Sequence, residues 1–138
     1  MLNRNKVRYL LLGGWAVGIY GYPRATADMD ILISIDDKNL DRLLKALHEF
    51  GAPAIDKKHF KEKGNVFRMG APPVKIELIN QASGIDMDDC YSRRKIFRIK
   101  GLNISLISKE DLIRNKKSSS RAKDKADAEN LEEMPEEN

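Results

Sequence analysis

The tetrapeptide Asp28-Met29-Asp30-Ile31 constrains this chain more than any other stretch. Alternation of acid and apolar residues suits an extended strand, where residues i and i+2 share a face about 6.5–7 Å apart. Asp28 and Asp30 then project side by side while Met29 and Ile31 point into a core. The β-rich run Met29–Ile35 reads as that strand. Two carboxylates so close repel each other, and a divalent cation between them relieves the repulsion. A solvated pair at a strand edge is the plain alternative.

Upstream, Val7–Leu12 is short and apolar and stops at Gly13-Gly14. It reads as a buried strand ended by a tight turn, followed by a short helix over Trp15–Tyr20 that closes at Gly21 and Pro23. Thirteen residues, 15 to 27, separate this turn from Asp28. Glycines at a strand-to-helix turn let phosphate approach the backbone, and the helix N-terminus supplies donors and partial positive charge. Arg4, Lys6 and Arg8 before an apolar run, with Ala25-Thr26-Ala27 beyond, imitate a secretory leader. The interrupting glycines, Trp15 and Pro23-Arg24 argue instead for a segment of the fold.

Asp36 or Asp37 caps the next helix, whose apolar residues Leu40, Leu43, Leu44, Leu47 and Phe50 form one face before Gly51 ends it. Residues 52–64 are polar, carry four lysines and read as a loop. Asn65–Met69 and Val74–Ile79 read as strands joined by Gly70-Ala71-Pro72-Pro73. Asp86–Arg94 is a short helix. Ile96–Ile99 and Ile104–Ile107 form a hairpin around Lys100-Gly101-Leu102-Asn103. Ser108 with Asp111 opens a helix through Leu112 and Ile113, Ser118-Ser119-Ser120 interrupts it, and a last helix runs from about Arg121 to Met134 with a frayed end. The expectation is an α+β (α/β) fold in one domain over 1–138. A mixed sheet with flanking helices occupies 1–107 and a helical part 108–138.

The 138 residues carry one cysteine, Cys90, so no intrachain disulfide forms and a reducing, cytoplasmic compartment is the default. No run approaches the length of a membrane span. The net charge of +4 hides an asymmetry: residues 91–125 hold twelve Lys or Arg against three acids, while 126–138 hold six acids and no base. Such a basic segment attracts phosphate, on a nucleotide or a nucleic acid, unless it is simply a solvated face. His48 on its helix and His59 among lysines read as structural and solvated, and Trp15 as packing.

Leu12-Gly13-Gly14, the gap, and Asp28-Met29-Asp30-Ile31 resemble the signature of the DNA polymerase β-like nucleotidyltransferase superfamily. The fuller string Gly13-Gly14-Trp15-Ala16, Gly21-Tyr22-Pro23-Arg24-Ala25-Thr26 and Asp28-Met29-Asp30 is similar to its small bacterial branch, which includes the AbiEii-type toxins. That superfamily places a third carboxylate on a neighbouring strand, and Glu77 in Val74-Lys75-Ile76-Glu77-Leu78-Ile79 matches it, where relatives more often carry Asp. Asp111-Leu112-Ile113, Lys116, Arg121, Lys123-Asp124, Asp127 and Leu131 are similar to the family's C-terminal pattern.

The resemblance implies a metal-dependent nucleotidyltransferase. Asp28, Asp30 and Glu77 would hold two Mg²⁺ ions, with Mn²⁺ an alternative, spaced about 3.5–4 Å as in two-metal sites generally. Gly13 and Gly14 would cradle the NTP phosphates. Lys116, or its neighbour Lys117, would contact the triphosphate and Arg121 would help neutralise it. Asp124 would orient Arg121 or assist deprotonation of the acceptor. Arg24 and Thr26 flank the carboxylate strand, where Arg24 binds phosphate or pairs with a site acid. The acceptor would be a hydroxyl of RNA, such as a tRNA end, or of a protein, as in a toxin with a cognate antitoxin. A homo-oligomer could complete the site. An antibiotic-modifying enzyme ranks lower, since Val17-Gly18 follows the Gly-Gly-Trp-Ala string in place of an acid. A non-catalytic protein of the same fold, binding nucleic acid or a partner, is the rival from another class.

Overall fold

In a computed structural model, residues 2–21, 28–71 and 74–133 are described. Six strands form one mixed sheet in the order β3-β4-β2-β1-β6-β5. At its centre is β1 (Tyr9–Leu12), whose four side chains are all buried. It pairs antiparallel with β2 (Asp28–Ile33) and parallel with β6 (Leu102–Leu106). A central strand covered on both faces needs this continuous apolar run. Within the stretch that imitates a leader, Tyr9–Leu12 is β1 and the next residues form α1 (Gly13–Ile19), while Ala25-Thr26-Ala27 lies outside the described residues. Among the described residues, no helix is long and apolar enough to cross a membrane.

β2 changes character along its length. Asp28 is exposed at the rim, whereas Ile31, Leu32 and Ile33 are buried. Beyond it, Asp36 caps α2 (Asp37–Glu49) by accepting from Asn39 N, and Ser34 Oγ donates to Asp36 at 2.7 Å. Asn39 is itself buried. Its amide donates to the carbonyls of Arg8 and Ser34 and its Oδ1 accepts from Arg8 N, so the first helical turn is fixed to the sheet. The expected apolar face forms through Leu40, Leu43 and Leu47, with Ala46 joining it. Phe50 does not join the core: it is the C-cap residue of the helix and is 59% exposed.

The expected loop 52–64 contains a short helix, α3 (Lys57–Lys61), capped by Asp56. Its order comes from outside the segment. Phe60 is buried against Phe67, and Lys57 and Lys61 pair with Asp41 and Asp37 on α2. β3 (Val66–Ala71) and β4 (Val74–Ile79) pair antiparallel, and β4 joins β2 in parallel. Next come α4 (Met87–Ser92), capped by Asp86, and the hairpin of β5 (Lys95–Ile99) and β6. This hairpin turns in two residues, Lys100-Gly101, rather than the expected four. Both have positive φ (49° and 79°), the conformation a tight two-residue hairpin turn requires.

Ser108 caps α5 (Lys109–Lys117) through Asp111 N, as its spacing predicts. α5 ends at Ser118, and α6 (Ala122–Glu133) packs back along it with Asp127, Ala128 and Leu131 inward. The expected frayed terminus beyond Met134 lies outside the described residues.

Candidate active site

Strand register, not proximity in sequence, assembles the acidic wall of the site. In the parallel β2–β4 pair, Asp30 stands opposite Glu77 and Asp28 opposite Lys75. Opposed residues share a face, so Asp28, Asp30 and Glu77 project together. β1 brings Leu12 opposite Asp30, and the chain turns at Gly13 immediately beyond. Gly13 has φ +71°, and an added Cβ would lie 2.5 Å from Asp30 Oδ2. Only glycine lets this backbone pass so close to the carboxylate.

Helices α5 and α6 supply the facing wall. Lys116, near the end of α5, is buried, with 9% of its side chain exposed. Its Nζ lies 3.1 Å from Asp124 Oδ1 and 3.3 Å from Asp127 Oδ2 on α6. Ser119 Oγ donates to Asp124 Oδ2 at 2.6 Å, and Arg121 Nε approaches the same oxygen at 3.7 Å. Asp124 therefore holds Lys116 more closely than Arg121, whose side chain is 82% exposed. Lys117 turns outward to Glu132, so of this adjacent pair Lys116 is the one that faces the cleft.

Between these walls lies a cleft of about 690 Å³. Gly13, Gly14, Asp28, Asp30, Glu77, Lys116, Arg121 and Asp124 all line it, so eight of the ten residues singled out from sequence converge there. The other two, Arg24 and Thr26, lie outside the described residues. Lys123, quoted with Asp124 in the C-terminal pattern, lines it too, and the cleft also takes in residues that the sequence did not single out: Asn115 on α5, and Gln81 and Ser83 just after β4. Asn115 Nδ2 donates to the Ser83 carbonyl at 2.8 Å, tying that segment to α5. The β2–β4 pairing and the packing of α5 bring these positions together, and nothing local marks them. Neither histidine lines the cleft, and Trp15 packs against the core.

Electrostatics sets the two walls apart. Asp30 is pushed up from its ordinary 3.8 to about 6, first by burial and then by the charges of Glu77 and Asp28. The Asp30 and Glu77 carboxyl groups are also in hydrogen-bonding contact, and Lys116 only partly offsets the crowding. On the opposite wall, burial pulls Asp124 upward, but hydrogen bonds from Ser119 and Lys116 outweigh it and hold the carboxyl below its usual range.

The crowded acids suit a divalent cation, whose charge would relieve the repulsion that raises Asp30. As they stand, no three His, Cys, Asp or Glu among the described residues form a ready-made ligating cluster. Glu77 accounts for this in part: its Oε1 accepts from Arg68 Nε at 2.9 Å.

The basic excess of residues 91–125 is not one patch. Arg93 and Arg114 pair with Asp111, Arg94 lies over the Tyr91 ring, and Lys116, Lys117 and Arg121 pair with acids of α6. Asp127 and Glu132 of the following acidic stretch are among their partners. Lys123 faces the cleft, while Lys95, Arg98 and Lys100 belong to the exposed β5 hairpin.

Comparison with known proteins agrees with this architecture. No curated protein matches the chain. An antigenic nucleotidyltransferase-like protein from Paracoccidioides brasiliensis superposes with a TM-score of 0.58 at 21% identity, over 94% of this chain and 68% of that one. The lincosamide antibiotic adenylyltransferase LnuA, in its lincomycin-bound structure, superposes with a TM-score of 0.61 at 18% identity, over 97% of this chain and 91% of its own. At these identities the likeness establishes the fold. The family model described as "Nucleotidyltransferase of unknown function (DUF6036)" matches residues 1–134, nearly the whole sequence, and the chain belongs to that family.

Proposed function

We propose that the cleft transfers a nucleoside monophosphate from an NTP to an acceptor hydroxyl in a reaction that depends on a divalent cation. The observation that carries this reading is the pairing of a three-carboxylate wall with a Lys116–Arg121–Lys123 wall across a glycine turn. An NTP needs these elements: acids for its cation, bases for its phosphates, and backbone free of side chains at close approach.

Asp28, Asp30 and Glu77 would hold Mg²⁺ or Mn²⁺. When bound, the ion supplies Lewis-acid activation of the acceptor hydroxyl and charge neutralisation of the triphosphate. Gly13 and Gly14 offer backbone donors where the phosphates lie. Lys116 is fixed by Asp124 and Asp127, so its charge is presented without loss of side-chain freedom on binding. Arg121, exposed and held loosely, reaches toward the leaving pyrophosphate. In the in-line displacement, the acceptor hydroxyl gives up its proton, to Asp124 or to water, as its oxygen bonds to the α-phosphorus and the bond to the bridging α–β oxygen breaks, releasing pyrophosphate. Arg24, for a phosphate or a site acid, and Thr26 beside it are candidate NTP contacts from the sequence alone.

The acceptor class favoured is RNA, such as a tRNA end, or a protein side chain, in the cytoplasm and in a toxin role countered by an antitoxin. The exposed Lys95, Arg98 and Lys100 support an anionic macromolecule. A second reading, a small-molecule hydroxyl, is favoured by the superposition over 91% of LnuA.

Incubation with each NTP labelled at the α-phosphate, Mg²⁺ or Mn²⁺, and either total tRNA, cell protein or a lincosamide tests the proposal. Transfer to RNA or protein that Asp30→Asn abolishes is expected. Transfer to the lincosamide alone moves the assignment to the second reading. Binding of nucleic acid that survives Asp30→Asn, with no transfer under either metal, overturns catalysis in favour of a binding protein.

A further inference from the structure

Glu77 stands between two partners on one face of the sheet. The parallel register sets it beside Asp30, and the antiparallel register sets it beside Arg68 of the edge strand β3. Arg68 Nε donates to Glu77 Oε1 at 2.9 Å. Arg68 is 67% exposed and does not line the cleft, whereas the Glu77 side chain is 22% exposed and does. The carboxylate that would complete the Asp28–Asp30 pair is thus held by a cation belonging to the chain itself.

We propose that Arg68 is a positioning residue that acts as an internal counter-cation. It holds Glu77 while the cleft lacks a divalent ion and competes with that ion for the same carboxylate. The inference rests on the reading of Asp28, Asp30 and Glu77 as cation ligands. A purely structural role for the pair is poorly motivated. β3 and β4 are already joined over six register positions, and an exposed ion pair adds little to that.

The sign of the effect follows from linkage between the two cations. Without the guanidinium, Glu77 beside Asp30 loses its compensating charge, which disfavours the cation-free state. The cation-bound state no longer requires Arg68 to be displaced. Removing Arg68 therefore tightens divalent binding, and for a partly exposed pair the change is about threefold to fivefold. A residue that merely orients Glu77 would give the opposite sign.

The test titrates Mn²⁺ into the full chain and reads free Mn²⁺ by its electron paramagnetic resonance signal. Asp30→Asn is expected to weaken binding about tenfold or more. Arg68→Gln and Arg68→Ala are expected to tighten it about threefold to fivefold, and Arg68→Lys, which keeps the charge, to stay near wild type. Far-ultraviolet circular dichroism verifies that each variant is folded, and either charge-removing variant suffices for the comparison. Unchanged or weaker Mn²⁺ binding in the folded charge-removing variants, with Asp30→Asn still impaired, overturns the role of Arg68 and leaves the cation site standing. A wild-type chain that binds no Mn²⁺ overturns both.

Discussion

Gly13 sits directly against Asp30: a Cβ on Gly13 would lie 2.5 Å from Asp30 Oδ2 and 3.2 Å from its Cβ and Cγ. The backbone there also has φ +71°, a region that side chains disfavour. Gly13→Ala is therefore strained twice, by conformation and by contact. The conformational part costs about 1–2 kcal/mol. The steric part displaces Asp30, and misplacement of a site carboxylate by about 1 Å lowers turnover by about 10²-fold. Urea denaturation and labelled-nucleotide transfer measure the two effects separately. A Gly13→Ala protein with wild-type turnover would refute the close fit as a functional constraint.

Asp30 predicts an opposition between stability and activity. Its carboxyl is raised to about 6 by burial, then by Glu77 and Asp28. The folded state thus binds this proton more tightly than the unfolded chain, whose carboxyl titrates near 3.8. The stabilisation is present in full below about pH 4 and is lost as pH rises through 6. At pH 7.5 in the metal-free protein, the ionised carboxylate is a liability that Asn lacks. Asp30→Asn is expected to be inactive yet more stable by about 1 kcal/mol, allowing for solvent screening at a partly exposed group. The gain disappears at pH 4. Urea midpoints at pH 4 and 7.5, with chelator present, measure it, and a variant less stable at pH 7.5 contradicts the crowding account.

Much of this could be read from the chain because its strongest signals are local. Asp36 and Ser108 cap where their spacing predicts, and the alternation at Asp28–Ile31 gives a strand with acids on one face. The convergence of Gly13, Asp30, Glu77 and Lys116 on one cleft was legible through the resemblance, since their spacing carries it. What the sequence hid is non-local. α3 is ordered by ion pairs to α2 and by the burial of Phe60, neither of which has periodicity. Arg68, Gln81, Ser83 and Asn115 reach the site, or its edge, only through the β3–β4–β2 pairing and the packing of α5. The basic stretch looked like one patch because a linear count cannot show that α6 folds back to neutralise part of it.

Lys116 and Asp127 form a buried pair whose partners come from different helices. Lys116 is 9% and Asp127 7% exposed, so each needs the other's charge. Asp127→Ala leaves the ammonium with Asp124 alone and is expected to destabilise by about 3 kcal/mol. Lys116→Met takes the ammonium from buried Asp127 and half-buried Asp124 and costs a similar amount. In Lys116→Met/Asp127→Ala, the lost charges partly cancel. The double-mutant cycle should give a coupling of about 1–3 kcal/mol in urea melts. Simple additivity would mean that the two groups do not share an interaction.

Asp111 is expected to contribute to the acid limb of stability. Its side chain is 1% exposed and receives Arg93 Nε at 3.1 Å, Arg93 Nη2 at 3.0 Å and the Ser108 hydroxyl at 2.9 Å. Burial pulls this carboxyl upward, but hydrogen bonds from Arg93 and then Ser108, with the charge of Arg93, outweigh it and hold it below its ordinary 3.8. A depressed acid means that the unfolded chain binds the proton more readily. Its stabilisation is therefore complete above about pH 4 and is lost as pH falls through the lower folded value. Asp111→Asn keeps the shape but not the charge, so Arg93 loses its ionic partner and the capped start of α5 weakens. The variant is expected to be less stable at pH 7 by about 2 kcal/mol and to show a shallower decline between pH 4 and 2. Parallel acid limbs for wild type and variant, measured by urea midpoints across that range, would assign the acid sensitivity to other carboxylates.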